Sequence, residues 1–279
     1  MKPAAFDYER PGRLDEAVRL LGEPGVASKA VAGSQSLGPM LNLRLAQPEL
    51  LVDITAIAEL RAVSLEREHL DIGACVTHAD IEDGRVPDVT RGLLGFVAGR
   101  IAYRAVRNRG TVGGSLAHAD PSGDWVSVFP LLGAQVIVQG RGGSRTIAAQ
   151  DFMLSSFVTA LQPDELIRAI RVPTLSARAQ WGFYKFNQKA GEFAHAIGAV
   201  LHDPATGRFR AVLGAIETAP IVVADATRLF GGPFDAGAAD RLDERAALAL
   251  LDAKGVKDDY IRKLALVALK RAARQASGA

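Results

Sequence analysis

The chain has 279 residues, 48% of them hydrophobic, and its 33 basic and 31 acidic residues leave a formal net charge of +2. That is enough apolar material for one large domain or two smaller ones, and so small a charge argues against attachment to nucleic acid or an anionic membrane by bulk attraction. A single cysteine, Cys75, excludes an intrachain disulfide and a cysteine-held iron–sulfur or zinc centre on this chain.

The opening residues, Met1 to Tyr8, carry no apolar core of a signal peptide, and no stretch is long and apolar enough to span a membrane, so the cytoplasm is expected. Leu14, Ala17, Val18 and Leu21 recur at helical spacing, with Gly22 at the position of a C-terminal cap. A short strand, Lys29 to Ala32, runs into a glycine turn. A helical turn is expected over Met40 to Leu45 and a buried strand over Leu50–Ile54, so the opening reads as a small α/β unit.

From about residue 57 to 175 the best strand candidates are Leu70–Val76, Gln135–Gln139 and Leu166–Val172. Cys75 lies in the first of these and reads as a buried, inert thiol. Arg91 to Arg104 reads as a helix with Leu94, Val97, Ala98 and Ile101 on one face. A further helix is expected to start at Asp120-Pro121, with the aspartate as cap and the proline at the first helical position. Beyond Pro173 three antiparallel strands are expected, Trp181–Gln188, Ala194–Leu201 and Phe209–Ile216, the last two joined by a turn at Asp203–Gly207. The remainder is alanine-rich helix, with Lys270, Arg271 and Arg274 near its C-terminal end, where the helix dipole favours cations. A domain boundary is expected near residue 175.

Two glycine segments carry the chemistry: Ala32-Gly33-Ser34-Gln35-Ser36 and Thr111-Val112-Gly113-Gly114-Ser115. Glycine lets backbone amides approach an anion that a Cβ would hold off, and successive amides form a concave anion site. Two such segments suit a pyrophosphate gripped from both sides. The lack of Gly-Lys-Ser/Thr disfavours a P-loop, and the lack of Gly-x-Gly-x-x-Gly disfavours a Rossmann site. Around the second segment lie Arg107, Asn108, Arg109, Asp120 and Asp124. Two readings of Asp124 stand, a ribose acceptor or a first-turn acid that favours its helix. His118 reads as a structural histidine or a base, and Lys185 as solvent-facing or aimed at a cofactor. The five histidines show no metal-ligand spacing.

Together these residues resemble the FAD-binding medium subunits of the molybdenum hydroxylases, a family that includes the carbon monoxide dehydrogenase flavoprotein and the flavin domain of xanthine dehydrogenase. The resemblance rests on Lys2–Tyr8, on Ala32-Gly33-Ser34-Gln35-Ser36-Leu37 through Arg44, and on Arg107–Ala117 with Asp120-Pro121 and Asp124. It implies an α+β chain. Residues 1–175 would form the two-part FAD-binding fold of this family, with subdomains of about 1–56 and 57–175. Residues 176–279 would form a C-terminal domain of a three-stranded antiparallel sheet with helices.

The resemblance also implies cofactor contacts. Lys29, Ala30, Val31, Ala32, Gly33, Ser34, Gln35 and Ser36 would hold the FAD pyrophosphate with Thr111, Val112, Gly113, Gly114 and Ser115. Ile101 would lie against the cofactor, Asp124 would bind its adenosine part, Leu161 would touch it, Lys185 would reach the flavin region, and Phe193 would stand near the isoalloxazine ring. No acid–base catalyst is implied on this chain. A large subunit would carry a molybdenum–pterin cofactor and a small one two [2Fe–2S] clusters, with electrons passing through FAD to an external acceptor. The family often has a second glycine where Ser34 stands; if that position needs positive φ, serine carries a strain of about 1 kcal/mol. Two other readings keep the fold: a standalone flavin-dependent reductase, and a scaffold subunit that has lost FAD.

Overall fold

The structure is a computed structural model that describes residues 2–278. The chain opens with β1 (Asp7–Glu9), α1 (Leu14–Leu21), β2 (Ser28–Val31), α2 (Leu37–Asn42) and β3 (Leu50–Asp53). β3 lies between β1 and β2, parallel to both. Its Leu50, Leu51 and Val52 are all buried, as a central parallel strand covered on both faces requires. α1 buries Ala17, Val18, Leu20 and Leu21 against this sheet. Gly22 follows it, but at φ −96° it is not a left-handed cap; a Cβ there would meet the Arg141 Nε at 2.7 Å. Glycine at 22 therefore answers to close packing.

The next part comprises β4 (Val63–Leu65), β5 (His69–Gly73), α3 (His78–Glu82), α4 (Leu93–Ala98), α5 (Arg104–Arg107), α6 (Val112–His118), α7 (Trp125–Leu132), β6 (Gln135–Gly140), β7 (Gly143–Ala148), α8 (Ala149–Phe152), β8 (Met153–Ser155), β9 (Val158–Thr159) and β10 (Leu166–Pro173). Five strands form an antiparallel sheet in the order β4-β5-β10-β6-β7. Three differences from the sequence reading appear here. The helix expected over Arg91 to Arg104 is two short helices, separated by a turn in which Ala102 adopts φ +44°. The segment at Thr111–Ser115 is the start of a helix rather than a loop. The helix expected at Asp120 begins at Trp125; Asp120 instead accepts the Ser122 amide at 2.9 Å in a local turn. All eight residues of α7 are buried, so it is a core helix fixed by packing.

The last part holds β11 (Gln180–Phe186), β12 (Ala196–Asp203), β13 (Arg208–Gly214), β14 (Ile221–Val223), α9 (Glu244–Ala253) and α10 (Asp259–Ser277). The sheet has four antiparallel strands, not three, because the short apolar run at Ile221–Val223 adds an edge. The Asp203–Gly207 turn forms as expected: Gly207 takes φ +67°, and the buried Asp203 accepts the Ser176 hydroxyl at 2.6 Å.

Strand periodicity sorts the two faces of this sheet. Ile197, Ala199, Leu201 and Val212 join the core that contains Trp125 and Phe129 of α7, whereas Val200, Ala211 and Leu213 join the core under α10. Phe183 lies on the α7 face and Tyr184 on the α10 face. α10 comes so close that a Cβ on Gly182 would sit 1.8 Å from the Ala272 carbonyl oxygen, and one on Gly198 2.2 Å from the Ala268 carbonyl carbon. Among the described residues no helix is long and apolar enough to cross a membrane.

Gly198→Ala must push α10 off its sheet, and overpacking of this kind costs about 1–3 kcal/mol. Chemical unfolding should show that loss for Gly198→Ala, and a change within about 0.5 kcal/mol for Gly12→Ala, where nothing lies within 4 Å of the added carbon.

Candidate cofactor site

The two glycine segments, far apart in sequence, meet backbone to backbone. A Cβ on Gly33 would stand 2.0 Å from the Arg109 carbonyl oxygen and 2.8 Å from the Gly110 Cα. No side chain fits in that gap. Gly110 in turn passes over the His78 ring, where a Cβ would lie 2.9 Å from Cδ2, and its carbonyl accepts the His78 amide at 3.0 Å. Burial holds His78 near a pKa of about 4, well below the ordinary imidazole value, with Arg107 acting in the same direction. It is therefore neutral, and its Nδ1 accepts the Trp125 indole N–H at 3.2 Å. A neutral imidazole thus ties the second segment to the core helix α7.

The first segment leaves β2 and enters α2. Ser34 takes φ +59°, the left-handed conformation in which a serine is strained. Among the described residues the amides of Ser34, Gln35 and Ser36 donate to no protein acceptor. The Gln35 side chain turns back to the Gly33 carbonyl at 3.0 Å, and Ser36 makes no side-chain cap to α2. Three successive free amides in a turn suit an anion.

The second segment is built differently. The Val112 amide donates to Val76 at 3.0 Å, the Gly113 amide to Ala74 at 2.9 Å, and the Gly114 amide to the Thr111 hydroxyl oxygen at 3.1 Å. Gly113 is glycine because a Cβ would press to 2.5 Å from that of Ala74. The expectation of a second set of free amides is corrected: these and the Ser115 amide are already bonded, and in this segment the Thr111 amide alone has no acceptor among the described residues. Besides that amide, this segment offers a ligand the Thr111 hydroxyl hydrogen and the half-buried Ser115 hydroxyl.

The other expected residues fall into two groups. In one, Lys29 stands on β2 just ahead of the cradle, and its charge acts on His118. Burial lowers the His118 pKa, Asp120 opposes that, and Lys29 reinforces it. The exposed Phe157 ring stands 5.3 Å from His118, and its amide donates to Ala119 at 2.8 Å. Leu161 is half-buried against the main core. Ala30 and Ala32 pack on the core of the first sheet, and the Val31 side chain is buried beside Leu41 and Leu51.

In the other group, Lys185 and Asp124 form a single ion pair. The Lys185 Nζ lies 2.9 Å from Asp124 Oδ2, with the two side chains 7% and 5% exposed. Lys185 shares the parity of Phe183, which aims it at the start of α7 and excludes the solvent-facing reading. Burial raises the Asp124 carboxyl above its ordinary pKa, and the ammonium opposes that shift. Asp124 Oδ1 has no partner among the described residues. Asp124 and Lys185, expected to serve the adenosine and flavin parts of the cofactor, are thus brought together in one direct contact.

Lys185 also lines a cleft of about 550 Å³ with Arg100, Ala102, Tyr103, Arg107 and Gly191. The half-buried Ile101 lies next to this lining, and Phe193, 65% exposed, follows two residues after Gly191. A larger open groove of about 900 Å³ lies elsewhere, between α1 and the β6–β7 hairpin, and contains none of the expected cofactor residues. Sequence reasoning did not assign roles to His78 and Arg107. The dense polar run at residues 107–109 signals Arg107, whereas no local pattern singles out His78.

Residues 4–175 match the family model described as the FAD-binding domain in molybdopterin dehydrogenase. The chain is 38% identical to the carbon monoxide dehydrogenase medium chain of Hydrogenophaga pseudoflava over 72% of its own length and 70% of that protein. It is 33% identical to the medium chain of the same enzyme from Afipia carboxidovorans over 99% of this chain and 98% of that one. A solved structure of the Hydrogenophaga pseudoflava carbon monoxide dehydrogenase, in a form that lacks the Mo-pyranopterin moiety of its molybdenum cofactor, superposes with a TM-score of 0.89 at 34% identity, covering 99% of this chain and 98% of that chain. With its cradle built from two glycine segments, this chain belongs to the FAD-binding medium-subunit family of the molybdenum-containing dehydrogenases.

Proposed function

We propose that this chain is the electron-transfer subunit of a heterotrimeric molybdenum hydroxylase. It would receive electrons from [2Fe–2S] clusters on a small partner, downstream of a molybdenum–pterin centre on a large one, and deliver them through FAD to an external acceptor. The observation that carries this reading is the cradle: three free amides at Ser34–Ser36, held open because Gly33 lies directly on Arg109–Gly110. Such a site is built for an anion without a fixed charge of its own, which suits the pyrophosphate of a dinucleotide. When bound there, FAD supplies the redox chemistry, and the protein supplies binding and orientation.

The chain's own residues divide that work. The Ser34, Gln35 and Ser36 amides would hold the pyrophosphate, with the Thr111 and Ser115 hydroxyls facing it. The Asp124–Lys185 pair, Ile101 and Phe193 would bound one ring system, and Lys29, His118 and Leu161 the other. The sheets formed by residues up to Pro173 hold the cradle, whereas the last sheet supplies Lys185, which supports a division near residue 175 into parts 1–175 and 176–279. The lone Cys75, buried with its thiol pushed up to about 12, fits a reducing compartment such as the cytoplasm. Co-expression with candidate large and small subunits should yield a complex with one FAD per copy of this chain. Purification of the chain alone, fully active as a reductase, would overturn the subunit reading.

Gly33→Ala forces the two segments apart, and overpacking of about 1–3 kcal/mol corresponds to about a fivefold to 150-fold weaker FAD affinity. A fluorescence titration in which this variant binds FAD like the parent chain would contradict the cradle. Lys185→Ala leaves a buried carboxylate without its counterion, a change that typically costs about 3–5 kcal/mol. In that variant Asp124 is raised further, so it contributes most at acid pH and its burial becomes costlier as pH rises through its folded pKa. Unfolding curves measured across pH should therefore show the variant's deficit growing toward neutrality.

A further inference from the structure

We propose that Arg107 is the positioning residue for the turn at Ile101–Ala102, and that Glu82 anchors it there. The inference rests on the proposed cofactor reading, in which this turn borders one ring of the dinucleotide. Arg107 Nη1 donates to the carbonyl oxygens of both Ile101 and Ala102, each at 3.0 Å. Its Nε and Nη2 hold the two Glu82 oxygens at 2.7 and 3.0 Å. The Arg107 side chain is 12% exposed, so one planar, largely covered group joins the end of α3 to the turn.

The turn needs such a hold. Ala102 sits at φ +44°, a conformation alanine does not favour, and the turn follows the end of α4, where carbonyls lack helical partners. The shape of the turn is then passed on. Gly191, at φ +86°, packs where a Cβ would stand 2.9 Å from the Ala102 carbonyl oxygen and 3.1 Å from the Tyr103 ring. The segment that carries Phe193 therefore takes its place from the turn that Arg107 fixes. Neighbouring Arg104 provides an internal contrast. It shares Glu82 and also binds Asp83, but it is 47% exposed, and among the described residues its side-chain bonds go only to these two acids.

The test uses the full chain and its Arg107→Gln, Arg107→Lys and Arg104→Gln variants, with FAD affinity read by flavin fluorescence and inorganic pyrophosphate as competitor. Arg107→Gln should weaken FAD by about tenfold or more while leaving pyrophosphate competition within about twofold. Arg107→Lys should fall between, because an ammonium cannot bridge the acid and both carbonyls, and Arg104→Gln should match the parent chain. Hydrogen exchange on the ligand-free chain should show faster exchange over residues 99–106 and 187–193 in Arg107→Gln, a smaller change in Arg107→Lys and none in Arg104→Gln. Unchanged FAD affinity, equal losses in the Arg107 and Arg104 variants, or pyrophosphate weakened in step with FAD would overturn the proposal. Failure of the parent chain to bind FAD would instead count against the cofactor reading; the exchange comparison then decides the clamp by itself, and unchanged exchange overturns it.

Discussion

The contact between Gly33 and the Arg109–Gly110 backbone sets the terms for everything around it. Two main chains at that distance leave no room for a carbon, and the approach is possible because Gly33 has no Cβ to meet the Arg109 carbonyl. From that crossing the first segment turns outward with its amides unused, and the second turns inward with its amides bonded to Ala74 and Val76. One segment is therefore a receptor and the other its support. The support reaches the core through His78, whose burial keeps it neutral so that Trp125 can donate to it. A charged imidazole would offer no acceptor at Nδ1 and would break that link.

The same device recurs wherever layers meet. Gly113 admits Ala74, Gly182 admits Ala272, and Gly198 admits Ala268. In each case glycine is placed for a neighbour's approach rather than for its own flexibility. Two sets of buried charged groups at the site follow a second rule, that a buried charge requires an opposite charge or a hydrogen-bond partner. Asp124 and Lys185 obey it by pairing across the join between α7 and the last sheet, and Arg107 obeys it by joining Glu82 to two turn carbonyls. Both bridges lie beside the same cleft, so one border of the candidate site is defined by charge pairs and the cradle by bare backbone.

Much of this was legible in the sequence, and the exceptions have physical causes. β5, β6, β10 and the long strands β11, β12 and β13 show because their apolar residues are continuous or alternate against a core. β7 does not show, because it is an edge strand that buries Ile147 and exposes its other residues. β14 is too short to register as a strand. The glycine pair at 113–114 pointed to a loop, since glycine costs helix stability; tertiary packing against Ala74 outweighs that local preference. The cradle positions could be named, but not which segment keeps its amides free. The facing of Lys185 became readable only once the register with β12 fixed the sheet's two faces. No local pattern could reveal that Asp124, 61 residues away in sequence, is its partner.

The most direct measurement is the set of backbone amide chemical shifts of the isotopically labelled chain during titration with FAD. The account predicts the largest downfield shifts at Ser34, Gln35 and Ser36, with small changes at Val112 and Gly113, whose amides are already bonded. Shifts concentrated instead around Arg13, Arg19 and Arg141 in the larger groove, with the Ser34–Ser36 amides unmoved, would contradict it.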